Sequence, residues 1–135
     1  MPLVRIDLHS GRDSNQVQKI ANSIHAAIVE QFGIPERDRF QIINELPAGS
    51  IIAQDAGLGF ERTGGVVMIQ IFTQRGRTTN AKQLLYQAIT GKLACAGVAP
   101  EDVFIGYVEN GAEDWSFGFG QAQYVTGELG IPAKN

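Results

Sequence analysis

The chain has 135 residues, 44% of them hydrophobic and 19% charged, with 16 glycines and a formal net charge of −3. That length suits a single domain able to bury roughly two thirds of its unfolded surface, so a core needs no metal or disulfide to support it. The Lys and Arg residues form no run or stripe, which argues against a nucleic-acid partner; Cys95 is the only cysteine, which excludes an intrachain disulfide; and no apolar run approaches membrane-spanning length.

Pro2 to Leu8 reads as a strand, because Val4, Ile6 and Leu8 alternate with Arg5 and Asp7 at the period of an element with one buried face. Initiator methionine is normally removed ahead of proline, which would leave Pro2 as a free secondary amine: a base, a nucleophile or, when protonated, an acid. An unperturbed α-amino group titrates near about 7.7 to 8.0, so modest burial or one nearby charge selects among these roles. On position alone, Pro2 reads equally as the start of an edge strand, where proline is tolerated. A strand at the amino end is not a secretory signal, and a cytoplasmic location is the default expectation.

Gly11-Arg12-Asp13-Ser14 is a turn in which Asp13 or Ser14 can cap a helix running to about Phe32. Val17, Ile20, Ala21, Ile24, Ala27, Ile28 and Phe32 recur every three to four residues, and Gly33 followed by Pro35 supplies the stop. Phe40 to Leu46 is a second strand ended by Pro47-Ala48-Gly49-Ser50, and the glycine-rich stretch from Ile51 to Gly65 reads as irregular. Val66 to Thr73 is apolar on both faces, the mark of a covered strand. A second helix is expected from about Thr79 to Ala96, with Ala81, Leu84, Leu85, Ala88 and Leu93 inward, then a strand from Val103 to Glu109 and a tail carrying Trp115, Phe117, Phe119 and Tyr124.

The two halves repeat. Ile6 and Gln70, Ile20 and Leu84, Gly33 and Gly97, and Phe40 and Phe104 are each separated by the same interval, which implies a duplicated β-α-β unit, about 1–64 and 65–135 within one domain. A helical crossover makes the strands of each unit parallel. The expected fold is α/β (α+β): a four-stranded sheet of mainly parallel pairs with two helices on one face. The other face then carries uncovered apolar side chains, so a closed oligomer is expected.

A duplicated unit of this size with proline after methionine resembles the tautomerase superfamily, small trimeric proteins that use an amino-terminal proline. More narrowly, Gly33-Ile34-Pro35-Glu36-Arg37-Asp38-Arg39-Phe40-Gln41-Ile42, Thr73-Gln74-Arg75-Gly76-Arg77, Val108-Glu109-Asn110-Gly111, Asp114-Trp115-Ser116-Phe117-Gly118 and Thr126-Gly127-Glu128-Leu129 resemble malonate semialdehyde decarboxylases over nearly the whole chain. The resemblance implies a homotrimer, no cofactor, and a small anionic oxo-acid substrate. It implies that Pro2 is the catalytic amine with Asp38 as its acidic partner, that Arg75 and Arg77 bind and polarise the substrate, and that Trp115, Phe117, Tyr124 and Leu129 line the pocket. The implied reaction is decarboxylation of a 3-oxo acid such as malonate semialdehyde, through polarisation of the aldehyde by cationic Pro2 or through an iminium. Tautomerisation of a 2-oxo or enol acid with Pro2 as general base is the alternative, and a trimeric binding protein without a reaction is a third.

Without that resemblance the same residues have plainer readings. Arg75 and Arg77 fall in a polar turn and could be solvated; Asp38 beside Arg37 and Arg39 could be an ion pair or a turn cap; Trp115 and Phe117 could be core or subunit-contact filler. Gly76 stands between the arginines where the family pattern has proline, and Tyr124 where it has phenylalanine. His25 reads as a surface or half-buried residue, since neither it nor His9 has ligands at metal spacing, and no metal site is expected. Gly57-x-Gly59 precedes no helix and is not a phosphate loop.

Overall fold

In the computed structural model, residues 2–130 are described. The element order is β1 (Pro2–His9), α1 (Ser14–Phe32), β2 (Phe40–Leu46), β3 (Val67–Gln74), α2 (Thr79–Cys95), β4 (Val103–Asn110) and α3 (Gln123–Thr126). Short 3-10 turns at Pro100–Asp102 and Ala112–Asp114 flank β4. The strands form one sheet in the order β2-β1-β3-β4, with β1 parallel to β2, β3 parallel to β4, and β1 antiparallel to β3. This is the expected sheet of parallel pairs. The antiparallel centre joins them because the irregular stretch between β2 and β3 contains no crossover helix.

Local chemistry sets the helix ends. Asp13 accepts from the Gln16 amide while the Gln16 side chain accepts from the Asp13 amide, a reciprocal cap that settles the choice between Asp13 and Ser14. Gly33 closes α1 at φ 65, a left-handed conformation open to glycine at little cost. Thr78 caps α2 through the Ala81 amide. The glycine-rich stretch is pinned rather than patterned. His9 Nε2 accepts from the Ile51 amide, so its Nδ1 carries the proton given to the Gly64 carbonyl, and buried Asp102 accepts from both the amide and the hydroxyl of Thr63. Buried His25 places Nε2 2.8 Å from the Glu36 carbonyl, more enclosed than its sequence neighbourhood implies.

One face of the sheet meets both helices. Val4, Ile6 and Leu8 of β1 and Val67, Ile69 and Ile71 of β3 share a core with Ile20, Ile24 and Ile28 of α1 and with Leu85, Ile89 and Leu93 of α2. This corrects the expected inward face of α2: Leu84 is 44% exposed, and Ile89 is buried in its place. The strand registers give the reason. Leu3 pairs with Phe40 and Met68 with Phe104, so matching those two pairs shifts β1 onto β3 by one residue more than it shifts β2 onto β4. Ile6 therefore corresponds to buried Ile71 and not to exposed Gln70, and Ile20 to Leu85 and not to Leu84. A one-residue slip in a strand reverses its face.

The opposite face is open and largely apolar. Phe40, Leu3, Phe72 and Val108 form one cross-strand row, and Asn44, Asp7, Met68 and Phe104 another. Phe40, Phe104 and Val108 are each at least 40% exposed. Among the described residues no helix is long and apolar enough to cross a membrane.

Candidate active site

Pro2 begins β1 with its side chain on the core face, buried and paired in register with Thr73 of β3. Thr73 is a polar residue at a core position, and beside it the alternation of β3 breaks, so that Gln74 is buried as well. The chain then turns through Gly76, at φ 132. Proline, held near −65°, cannot adopt that angle, so the glycine found here builds a different turn from the proline of the family pattern. Its consequence is visible in the two arginines. Arg75 is exposed, whereas Arg77 is only 8% exposed, and neither lines the clefts described below.

Arg77 is held on one side and buried without a partner among the described residues on the other. Its Nη1 donates to Thr73 Oγ1 at 3.3 Å, and its guanidinium carbon lies 4.1 Å from the centre of the Phe32 ring. Nε and Nη2 are buried without a hydrogen-bond partner among the described residues, as are Gln74 Nε2 and Tyr107 Oη. Leaving buried donors unsatisfied costs on the order of 1–3 kcal/mol each, more for charged groups, so such a cluster calls for an explanation, of which a bound anion is one. Nε and Nη2 form the side-on edge of a guanidinium, the edge that fits the two oxygens of a carboxylate.

Two clefts lie at this end of the sheet. The first, about 370 Å³, is lined by Pro35, Arg37, Asp38, Phe40, Phe117, Tyr124, Leu129 and Gly130. The second, about 390 Å³, is lined by Leu3, Phe40, Asp114, Trp115, Ser116 and Phe117. Phe40 and Phe117, edge to face with centroids 5.6 Å apart, form the partition between them. Thus Asp38, Phe117, Tyr124 and Leu129 come together in one cleft, while Trp115 faces the other, fixed by its Nε1 donating to Asn110 Oδ1 at 2.8 Å.

Tyr124 joins the first cleft to the buried cluster. Its ring meets Phe117 edge to face at 5.4 Å, and burial raises its phenol above the usual range, opposed by the nearby Gln74 side chain; the charges of Asp38 and Arg77 both reach it. Burial likewise raises the Tyr107 phenol, against the pull of the Arg77 charge. Both are therefore neutral hydroxyls at physiological pH. Asp38 closes a Pro35 turn through its amide, and Arg39 is turned away to Gln41 and Asn22, which removes one of the two neighbours expected to compete for the Asp38 carboxylate.

Sequence reasoning missed Thr73, Gln74, Phe32, Tyr107 and Gln123. The first two carried a signal, a polar pair at the end of an apolar strand. Gln123 carried none: its side chain accepts from the Phe117 amide and donates to the Gly118 carbonyl, so it fixes the aromatic wall across a loop. Among the described residues no group of three or more His, Cys, Asp and Glu gathers to hold a metal.

Comparison with known proteins shows the family of the chain. Two models described as tautomerase enzymes match residues 2–61 and 38–118. The probable tautomerase YrdN of Bacillus subtilis (strain 168) is 41% identical over 130 residues, 96% of this chain and 100% of that protein. A crystal structure of a malonate semialdehyde decarboxylase inhibited by 3-bromopropiolate superposes with a TM-score of 0.95 at 57% identity, covering 96% of this chain and 99% of that one. A second malonate semialdehyde decarboxylase, whose structures address decarboxylase and hydratase activities, gives 0.90 at 36% identity over 94% and 98%.

Proposed function

The chain belongs to the tautomerase family, and within it we propose that this protein decarboxylates a small 3-oxo acid of the malonate semialdehyde type, using Pro2. The observation that carries the reading is the Nε and Nη2 edge of buried Arg77, unpaired among the described residues and one ladder step from Pro2 through Thr73. Similarity to malonate semialdehyde decarboxylases supports it.

In this reading Arg77 takes the substrate carboxylate in a bidentate grip, and cationic Pro2 donates to the aldehyde oxygen. The bond from the carboxylate carbon to the methylene breaks with the carboxylate rotated out of the carbonyl plane. Its electron pair forms the enolate double bond as the carbonyl pair moves to oxygen, carbon dioxide leaves, and the enolate takes one proton at carbon to give acetaldehyde. Charge thus moves from the carboxylate toward Pro2, so an ammonium there stabilises the transition state more than the ground state. The apolar walls Phe40, Phe117 and Leu129 exclude water from a carboxylate about to become neutral carbon dioxide. Asp38 balances the Pro2 cation or activates water, Tyr124 and Trp115 shape the cavity, and exposed Arg75 captures the anion at the entrance. All of these groups belong to the chain, so the proposed route needs no cofactor.

The test is to follow carbon-13-labelled malonate semialdehyde by NMR. Labelled acetaldehyde and carbon dioxide are expected; recovery of unchanged substrate would overturn the reading. The second reading, a tautomerase with neutral Pro2 as base, is favoured by the name given to the YrdN relative. Ketonisation of an enol acid without carbon dioxide release would establish it instead.

The open apolar face further leads us to propose that the protein works as a homotrimer whose copies pack on this surface. Light scattering is expected to give three times the 14.6 kDa of one chain, and a monomer mass would rule the trimer out.

A further inference from the structure

Arg77 is the end of a stacked row that runs away from the clefts. Its guanidinium carbon lies over the ring of Phe32, the last residue of α1, 4.1 Å from the ring centre. Phe32 meets Tyr107 of β4 edge to face, with centroids 6.5 Å apart at 84°. The outer face of this row is closed by Lys82, whose Nζ lies 4.8 Å from the Tyr107 ring centre and 3.0 Å from Glu109 Oε1. An arginine side chain loses several freely rotating bonds when fixed, and among the described residues the long bond from Nη1 to Thr73 leaves the plane of the fork undetermined. Contact with a ring face restricts where the fork can lie, since a guanidinium attracted to the π-electrons stays over them.

From this row we infer that Phe32, braced edge-on by Tyr107, is the positioning residue that aims the Nε and Nη2 edge of Arg77 at the substrate carboxylate. The inference rests on the reading of Arg77 as the carboxylate site. It adds a specificity element 45 positions away in sequence and on a different element from the arginine it serves. Phe32 touches no reacting atom in this account. Its effect passes through Arg77, and the two residues should not act independently.

The experiment measures binding of 3-hydroxypropanoate, an unreactive carboxylate probe, by calorimetry on the full chain. Wild-type protein and Arg77→Lys establish the site: saturable binding that Arg77→Lys weakens is expected, and absence of any such binding would overturn both the carboxylate site and the aiming role. Given that binding, Phe32→Leu, which keeps an apolar side chain and removes the ring, is expected to weaken the probe about tenfold, or about 1.4 kcal/mol. Phe32→Tyr, which restores the ring face, should recover most of it. In the Arg77→Lys background, Phe32→Leu should change the affinity less than twofold, because a lysine has no planar fork to aim. Equal losses in both backgrounds, or no recovery with tyrosine, would overturn the aiming role while leaving the carboxylate site standing. Cooperative thermal unfolding is the control: if Phe32→Leu fails to fold, Phe32→Met replaces it in the cycle under the same criteria.

Discussion

Protein whose Pro2 nitrogen is acylated, by a retained methionine or by any added residue, is expected to turn over malonate semialdehyde about 10² to 10⁴ times more slowly than protein with the free amine. Acylation converts a secondary amine into a tertiary amide, which carries no titratable proton and cannot polarise a carbonyl or form an iminium. Mass spectrometry separates the two forms before assay, and equal rates would remove Pro2 from the mechanism. Pro2→Ala is a milder change, since it leaves a primary amine near its ordinary pKa of about 7.7 to 8.0. The pH dependence carries a sign. An amine acting as a cation is competent below its pKa, so decarboxylation should fall as pH rises through it. An amine acting as a base is competent above its pKa, so tautomerisation should rise instead. Nitrogen NMR of Pro2 fixes the midpoint, with a value near 9 expected for the cation and one of roughly 6 to 7 for the base.

Replacing Arg77 with methionine is expected to lower kcat/KM by about 10² to 10³ while leaving the melting temperature unchanged or higher. The loss follows from removing two charge-assisted hydrogen bonds to the substrate, each of about 1.5–3 kcal/mol. The stability follows from the opposite side of the same arrangement. Two guanidinium donors are buried without acceptors among the described residues, and exchanging an unsatisfied buried charge for an apolar side chain of similar length removes a desolvation cost. Methionine also keeps a sulfur against the Phe32 ring. Steady-state kinetics and calorimetric melting test both halves. A variant that loses activity and also melts well below wild type would show that Arg77 is a structural residue.

The fold was legible because its signals are short-range. The alternation of Val4, Ile6 and Leu8, the helical spacing from Val17 to Phe32, and the stops at Gly33 and Gly97 each lie within one element, where period and backbone preference act directly. Leu84 reads as inward because its spacing from Ala81 and Ala88 suits a helical face as well as that of Leu85, whereas the registers place the second half one residue further on. That shift is invisible to local pattern, because Leu84 and Leu85 are equally apolar and only the partner strand and helix tell them apart.

By itself, the sequence determined the elements, their order, the apolar surplus that leaves one sheet face uncovered, and the identity of the groups able to carry chemistry: an amine at Pro2, a carboxyl at Asp38, guanidinium groups at Arg75 and Arg77. Tertiary structure alone decided which of these meet. Gly76 sends one arginine to solvent and the other into the core, β1 and β3 pair Pro2 with Thr73, and Phe32 arrives from a distant helix to face the buried guanidinium. The division has a physical cause. Periodicity and backbone preference are properties of neighbours along the chain, whereas burial of a charge, the orientation of its donors and its distance from another group depend on segments that only folding brings together.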